Sequence, residues 1–278
     1  MGKGKIWLIT GVSSGLGKAL AAAVLAEGGI VAGTVRGEAA KKDFEAGAPG
    51  RAHGLVMDVR DGAAIAAAVQ AVEKLGPLDV LVNNAGFGLV GAVEEVSLPE
   101  ARNQFEVNVF GPLALIQAVL PGMRARKAGT IVNVTSVSGL ATWQGTGIYC
   151  ASKFALEAIG ETLCDEVAPL GIKVMNVEPG GMRTDYASRS LARAERKLPD
   201  YHDTAHSSER ILAGHAGQES GDPAKMAAHI LAAVNSGTPP RNLLLGADAM
   251  HYATRRMGAL IAEIGNWAAV TVNTKFEK

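Results

Sequence analysis

Residues 5–17 constrain the fold of this 278-residue chain more than any other stretch. Ile6, Trp7, Leu8 and Ile9 form an apolar run of strand length. It gives way to Gly11, Val12, Ser13, Ser14, Gly15, Leu16 and Gly17, then to an alanine-rich stretch ending near Gly28. A strand, a glycine turn and a helix in that order aim main-chain N–H groups and the positive end of a helix at one point, where a pyrophosphate can sit. Glycine is needed because such a ligand approaches the main chain closely. The spacing is GxxxGxG, not the GxGxxG of the dinucleotide fingerprint. The same letters also read GxSxG, with Ser13 in the place of a hydrolase nucleophile.

The alternation continues down the chain. Residues 30–35, 52–57, 78–82, 129–135, 172–177 and 243–245 read as further strands, and the wholly apolar 78–82 suits a sheet covered on both faces. Helices are expected between them, including 61–75 with Asp61 as N-cap, 98–120 with Pro112 placed to kink it, 149–169, and a stretch to about 236 opened by Asp222 or Pro223. This pattern predicts an α/β, single-domain, Rossmann-type doubly wound parallel sheet of about seven strands over residues 1–278. The polar segment 185–221 is expected to be a substrate-loop insertion at the carboxyl ends of the strands, with Tyr186, Leu191, Leu198 and Tyr201 hinting at an apolar pocket. Residues 248–278 are expected to form a C-terminal helical extension with a mobile tail.

Composition narrows the partners. A hydrophobic content of 48%, 19% charged residues and a formal net charge of +0 suit a well-cored soluble protein and offer no field to attract nucleic acid or an anionic membrane. Small molecules are the expected partners. The longest uncharged run, 107–123, is shorter than the roughly 20 residues of a membrane span and is interrupted by polar residues and prolines. The first strand begins within a few residues of Met1, leaving no room for a signal peptide, so a cytoplasmic location is expected. Cys150 and Cys164, on one helix about 21 Å apart at 1.5 Å per residue, are expected to be free thiols.

The chemistry concentrates in Tyr149 and Lys153. At i and i+4 on a helix they share a face, and an ammonium beside a phenol lowers a pKa that is ordinarily about 10, toward the range where a general acid or base works. Ser136 lies thirteen positions earlier at a strand end, close enough for a loop to return its hydroxyl to the phenol, with Ser138 as the competing candidate. Asn108, in the middle of an apolar helix, must find partners, through capping or in support of catalysis. Asn84, Ala85 and Gly86 follow a strand, where an amide can hold loops together and small residues let a cofactor pass. After the second strand stands Arg36 and no carboxylate, which favours the 2′-phosphate of NADP(H) over the ribose hydroxyls of NAD(H), although Glu38 is near. One competing motif remains: His202 and His206 in an HDxxH that imitates a zinc-binding HExxH, with Glu209 or His215 as a third ligand.

Together, residues 10–17, Asn83 to Gly86, Ser136, Tyr149 with Lys153, and Pro179 to Thr184 resemble the short-chain dehydrogenase/reductase family over roughly residues 5–250. The stretch 149–157 is similar to the subgroup of 17β-hydroxysteroid and retinol dehydrogenases. The resemblance implies an NADP(H)-dependent oxidoreductase, with NAD(H) as the lesser cofactor, interconverting a secondary alcohol and a ketone or aldehyde of rather apolar character. Tyr149 would carry the proton, Lys153 would lower its pKa and bond the nicotinamide ribose, Ser136 would hold the substrate oxygen, and Asn108 would anchor a water leading to Lys153. Gly11, Gly15, Leu16 and Gly17 would cradle the phosphates, and Arg36, with help from Ser13 or Ser14, would meet the 2′-phosphate. Asp58 and Val59 would line the adenine, Asn84, Ala85 and Gly86 the adenosine ribose region, and Pro179, Gly180 and Thr184 the nicotinamide. No metal is expected, and a homodimer or homotetramer is. A protein that binds NADP(H) as a sensor without turnover is the alternative of a different class.

Overall fold

Strand-length apolar runs separated by helices can bury both faces of a sheet only if the helices divide between its two sides. The computed structural model, which describes residues 4–184 and 190–276, has that arrangement. Strands β1 (Ile6–Ile9), β2 (Ile30–Val35), β3 (Ala52–Val56), β4 (Val80–Asn83), β6 (Gly129–Val134), β7 (Ile172–Pro179) and β9 (Asn242–Leu245) form one sheet, all parallel, in the order β3-β2-β1-β4-β6-β7-β9. Two short strands, β5 (Gly88–Val90) and β8 (Leu191–Arg193), pair separately.

Side chains alternate across the sheet, so Trp7 and Ile9 of β1 face one core and Leu8 faces the other. The first core packs under α1 (Gly15–Ala26) through Leu20 and Val24, and under α8 (Pro223–Asn235) through Ile230 and Leu231. The second packs under α3 (Gly62–Glu73) through Ile65 and Val72 and under α5 (Gly111–Arg126) through Leu115 and Ile116. Strand order reverses between β1 and β4, which opens a crevice at their carboxyl ends.

Helix boundaries follow local chemistry. Asp61 caps α3 by accepting from the N–H groups of Ala63 and Ala64, as its position predicts. Asp222 does the same for α8, ahead of Pro223 in the first turn. The predicted helix at 149–169 is α6 (Gly147–Val167), so Tyr149 lies inside its first turn. Both cysteines are free, Cys150 buried and Cys164 partly so.

Three departures from expectation have physical reasons. The predicted helix 98–120 runs on to Arg126 as α4 (Leu98–Phe105), a π-helical turn (Glu106–Phe110) and α5. Pro112 has no N–H to offer the carbonyl four residues back, and the Gly111 N–H bonds to the Glu106 oxygen five back, so the break in the ladder takes the form of a π turn just before the proline. The continuous stretch Leu98–Arg126, 29 residues at mean hydropathy 1.3 in its most apolar window, has the length and composition of a membrane span, although 107–123 alone did not. Its inner face, with Leu115, Ile116, Val119 and Met123, is buried in the second core, as expected of a core helix. Finally, the 185–221 segment is structured where described: β8, a 3₁₀ turn (Pro199–Tyr201) and α7 (Ala205–Gly214). A three-residue strand is too short to leave a periodic pattern, and Tyr186 lies outside the described residues.

One polar row crosses the sheet. Asn83, Asn133 and Asn176 stand in register on β4, β6 and β7, with Asn242 in register next to Asn176 on β9. The Asn83 amide donates to Asn133 Oδ1 (2.9 Å), the Asn133 amide to Asn176 Oδ1 (3.2 Å), and Asn176 Nδ2 to Glu157 Oε1 on α6 (2.6 Å). Gly160 lets α6 lie directly on this row, since a Cβ there would stand 1.9 Å from Asn176 Oδ1.

Candidate active site

The glycine turn closes onto the neighbouring strand ends. Gly11 and Gly15 hold φ of 73° and 56°, the left-handed region where a side chain is strained. The N–H groups of Gly11 and Val12 donate to the Thr34 carbonyl at the end of β2 (3.1 Å each). Asn84 Nδ2 donates to the carbonyls of Thr10 (2.7 Å) and Gly11 (3.1 Å), while Thr10 Oγ1 accepts from the N–H groups of Asn84 and Ala85 (2.9 Å each). A Cβ at Gly17 would stand 2.3 Å from Asn84 Nδ2, so the clasp requires glycine there. The Asn84 side chain thus ties two loops together. The side chain of Leu16 is buried in the first core, and Ser13 is exposed. Ser14 occupies the N-cap of α1 without a side-chain bond, so no hydroxyl competes with an anion for the first-turn N–H groups. These features fit a pyrophosphate.

Arg36 is exposed directly after β2 and is close enough to Asp58 to act on its charge. Asp58 itself is held below the usual carboxylate range chiefly by hydrogen bonds from Arg60, whose Nη2 lies 2.6 Å away. The Val59 side chain is buried in the second core, and a Cβ on Gly111 would press against it. On the far side of the crevice the Gly180 N–H donates to the Leu245 carbonyl (2.9 Å) and the Gly181 N–H to Asp248 Oδ2 (2.7 Å), fixing the loop after Pro179. That loop brings the Thr184 methyl 3.7 Å from where a Gly15 Cβ would stand, so it reaches over the glycine turn.

Between these loops sits the predicted chemistry. Lys153 is buried in α6, and its ammonium donates to the Val134 carbonyl at the end of β6 (3.0 Å) and lies 5.9 Å from the centre of the Tyr149 ring. Burial lowers the Lys153 pKa to about 8, against an upward pull from Glu157 one helical turn on. Asn108, in the π turn, donates through Nδ2 to the Phe87 carbonyl (3.0 Å) and to Ser152 Oγ (3.1 Å), and accepts from the Phe87 N–H (3.2 Å). Ser152 in turn donates to the Tyr149 carbonyl (2.7 Å). A Cβ at Gly86 would stand 3.1 Å from Asn108 Oδ1 and 3.6 Å from Lys153 Nζ, so these three residues meet at one point.

Ser136 is half-buried at the end of β6 and accepts the Ser138 N–H at 3.0 Å, so its own proton remains to be donated. Ser138 is buried. The turn they share packs on α6, with the Gly139 Cβ position 3.2 Å from the Lys153 carbonyl. Beyond Lys153, burial first and the neighbouring charge of Glu157 second raise Glu178 to about 9. Burial raises Glu157 as well, but it accepts from the amides of Asn176 and Asn242, so of the two it is the partner suited to hold the charge.

The HDxxH histidines are engaged separately. His202 Nδ1 pairs with Asp203 (2.7 Å), and His206 Nε2 with buried Glu95 (2.7 Å). Among the described residues no group of three or more His, Cys, Asp or Glu is placed to hold a metal. Burial alone would raise Glu95, but N–H groups of Leu198 and Ala92, with His206, hold it at about 2. Glu95 therefore ties the 198–206 segment to the turn that follows β5.

Sequence reasoning gave no role of their own to Thr10, Ser152, Asp248, Glu157 and Glu95. Asp248 carried a readable signal, an acid in the first turn of the predicted C-terminal helix. The other four act through partners distant in sequence or through the main chain.

Comparison with known proteins adds to this geometry. The sequence pattern of the family described as short chain dehydrogenase matches residues 5–195. A 3-ketodihydrosphingosine reductase of Bacteroides thetaiotaomicron is 36% identical over 244 residues, 87% of this chain and 88% of that protein. Retinol dehydrogenase 8 of Bos taurus is 34% identical over 250 residues, 84% of this chain and 78% of its own length. The solved structure of a short-chain dehydrogenase from Streptomyces avermitilis, 41% identical, superposes with a TM-score of 0.93 over 99% of this chain and all of that one.

Proposed function

This chain belongs to the short-chain dehydrogenase/reductase family and is an oxidoreductase, and we propose that it interconverts a secondary alcohol and a ketone or aldehyde with NADP(H) as preferred cofactor and Tyr149 as general acid and base. The observation that carries this reading is the buried Lys153 ammonium, 5.9 Å from the Tyr149 ring centre and held by the Val134 carbonyl at the head of the crevice. With a pKa of about 8 the amine stays charged at neutral pH and favours phenolate on its neighbour.

The glycine turn would hold NADPH, which when bound would supply the hydride that reduces the carbonyl carbon. Tyr149 delivers the proton to the oxygen as charge develops there, and the Ser136 hydroxyl donates a second hydrogen bond to it. Lys153 stabilises the phenolate left behind. Asn108 and Ser152 hold the first turn of α6 in place. In oxidation the same groups run in reverse, Tyr149 taking the alcohol proton.

Arg36, exposed at the end of β2 where an NAD-type carboxylate is missing, supports the 2′-phosphate. Glu38 is turned toward Lys41 (3.9 Å). The relatives' names, a reductase of a ketodihydrosphingosine and a dehydrogenase of retinol, support an apolar substrate. The proposal extends to a cytoplasmic homodimer or homotetramer. A screen of ketones, aldehydes and alcohols with both cofactors tests it: turnover is expected with apolar carbonyls and NADPH. Arg36→Glu is expected to raise KM for NADPH about 10- to 100-fold, the loss of one charged hydrogen-bonding partner, with NADH far less affected. Equal use of both cofactors by the unaltered protein would overturn the preference.

A further inference from the structure

The last helices leave the body of the molecule. α9 (Ala247–Asn266) starts in contact with it: Ala249 and Ala253 are buried, and the Tyr252 ring stacks edge-on against Trp143 at 5.4 Å. From Thr254 onward every described residue is exposed, through the short α10 (Ala268–Val272) to Phe276. At 1.5 Å per residue, the part of α9 beyond Ala253 projects about 20 Å.

This arm is apolar along one stripe. Met257, Leu260, Ile264 and Trp267 recur at intervals of three and four, and Ile261 flanks them, with exposures of 41% to 70%. The stripe continues the same helix face that buries Ala253 on the body. A lone helix of this length is marginal in water, and a contiguous apolar patch of this kind marks an interaction site. The spacing is that of a helix-pairing seam.

Two charges identify the occupant. Arg256 and Glu263, seven residues apart, lie on one flank of the stripe. If a second α9 packs antiparallel about a two-fold axis near Leu260, Arg256 of each copy faces Glu263 of the other, giving two ion pairs around an apolar centre. A parallel pairing would turn the flank of Arg256 and Glu263 toward the opposite flank of the partner, where Ile261 stands, and would make neither ion pair. A helix lying on a membrane wants a cationic polar face, whereas this flank carries both signs. We propose that the α9 arm is a self-association surface that pairs antiparallel with the same arm of a second copy. This proposal goes beyond the oxidoreductase reading and does not depend on it.

The test is light scattering and sedimentation of the full-length protein. The unaltered chain is expected to be a dimer or a multiple of one, and Ile264→Glu to halve its mass while the thermal melt and circular dichroism stay those of a folded protein. Arg256→Glu and Glu263→Arg are each expected to weaken association at least tenfold, and the doubly exchanged chain to recover it, because the exchanged charges again face each other. A monomeric unaltered protein, an unchanged mass for Ile264→Glu, or no recovery in the double variant would overturn the proposal. So would capture of the unaltered chain, but not of Ile264→Glu, by phosphatidylserine vesicles with no difference in mass, since the arm would then be a membrane contact. Activity is read in parallel; its absence in every form bears on the catalytic proposal and leaves the mass comparison intact.

Discussion

At the residue scale, the site depends on charges held where water cannot reach them. Glu178 has no exposed surface, and its carboxyl, raised to about 9, keeps its proton at neutral pH while Glu157 accepts amide donors. The sign of its effect on stability follows from the raised value. Its contribution is fully present below the ordinary carboxylate value of 4.5 and is lost progressively as pH rises toward about 9, because the unfolded chain ionises freely and the folded one does not. Glu178→Gln removes that liability without removing the hydrogen-bonding shape. We expect its melting temperature, relative to that of the unaltered protein, to be higher at pH 8.5 than at pH 5. A pH-independent difference would mean that the proton is held elsewhere.

At the scale of elements, α6 carries both Tyr149 and Lys153, the pair proposed to move the proton, and must be seated accurately. Gly160 allows it to touch the asparagine row, so Gly160→Ala should lower stability by about 1–3 kcal/mol, the cost of overpacking a close contact, measured by denaturant titration. The clamp at Glu95 acts on the 198–206 segment. Glu95→Gln keeps the shape but loses the charge that accepts from the Leu198 and Ala92 N–H groups and from His206. It should therefore raise KM for the carbonyl substrate several-fold and leave KM for NADPH unchanged; a matching rise in both would place the clamp's effect on the cofactor side. Most elements were legible in the sequence because strands such as Val80–Asn83 are short apolar blocks bounded by turn residues, and because Asp61 and Asp222 announce helix starts. The pairing of β5 with β8 was not, since three residues carry no period and their partners are a hundred positions apart. The π turn was hidden for another reason: Pro112 signals a break in the ladder but not how the helix reroutes its bonds.

At the scale of the molecule, a parallel sheet that reverses its winding between β1 and β4 gathers the ends of β1, β4, β6 and β7 around one crevice. The glycine turn, Asn84, Asn108, Ser136, Lys153 and Thr184 are scattered over some 170 positions, and this topology alone explains why they meet. The pairing of Tyr149 with Lys153 and the glycine turn stand out in the chain, since a phenol four residues from an amine and glycines in a tight turn are local patterns, whereas Asn108, Ser136 and Thr184 take their proposed roles from the family resemblance. The supporting bonds could not, because the clasp from Asn84 to Thr10 and the bond from Asn108 to Ser152 join residues 74 and 44 positions apart. The account rests on Tyr149 moving the proton at that crevice. The direct measurement compares Tyr149→Phe with the unaltered protein in two readouts on the same sample, NADPH binding by fluorescence and the rate of NADPH consumption with the best carbonyl substrate. Binding should be retained within a few-fold while turnover falls by about 10²- to 10⁴-fold, the range a positioned general acid contributes. Turnover kept at the level of the unaltered protein, with binding intact, would contradict the assignment of Tyr149.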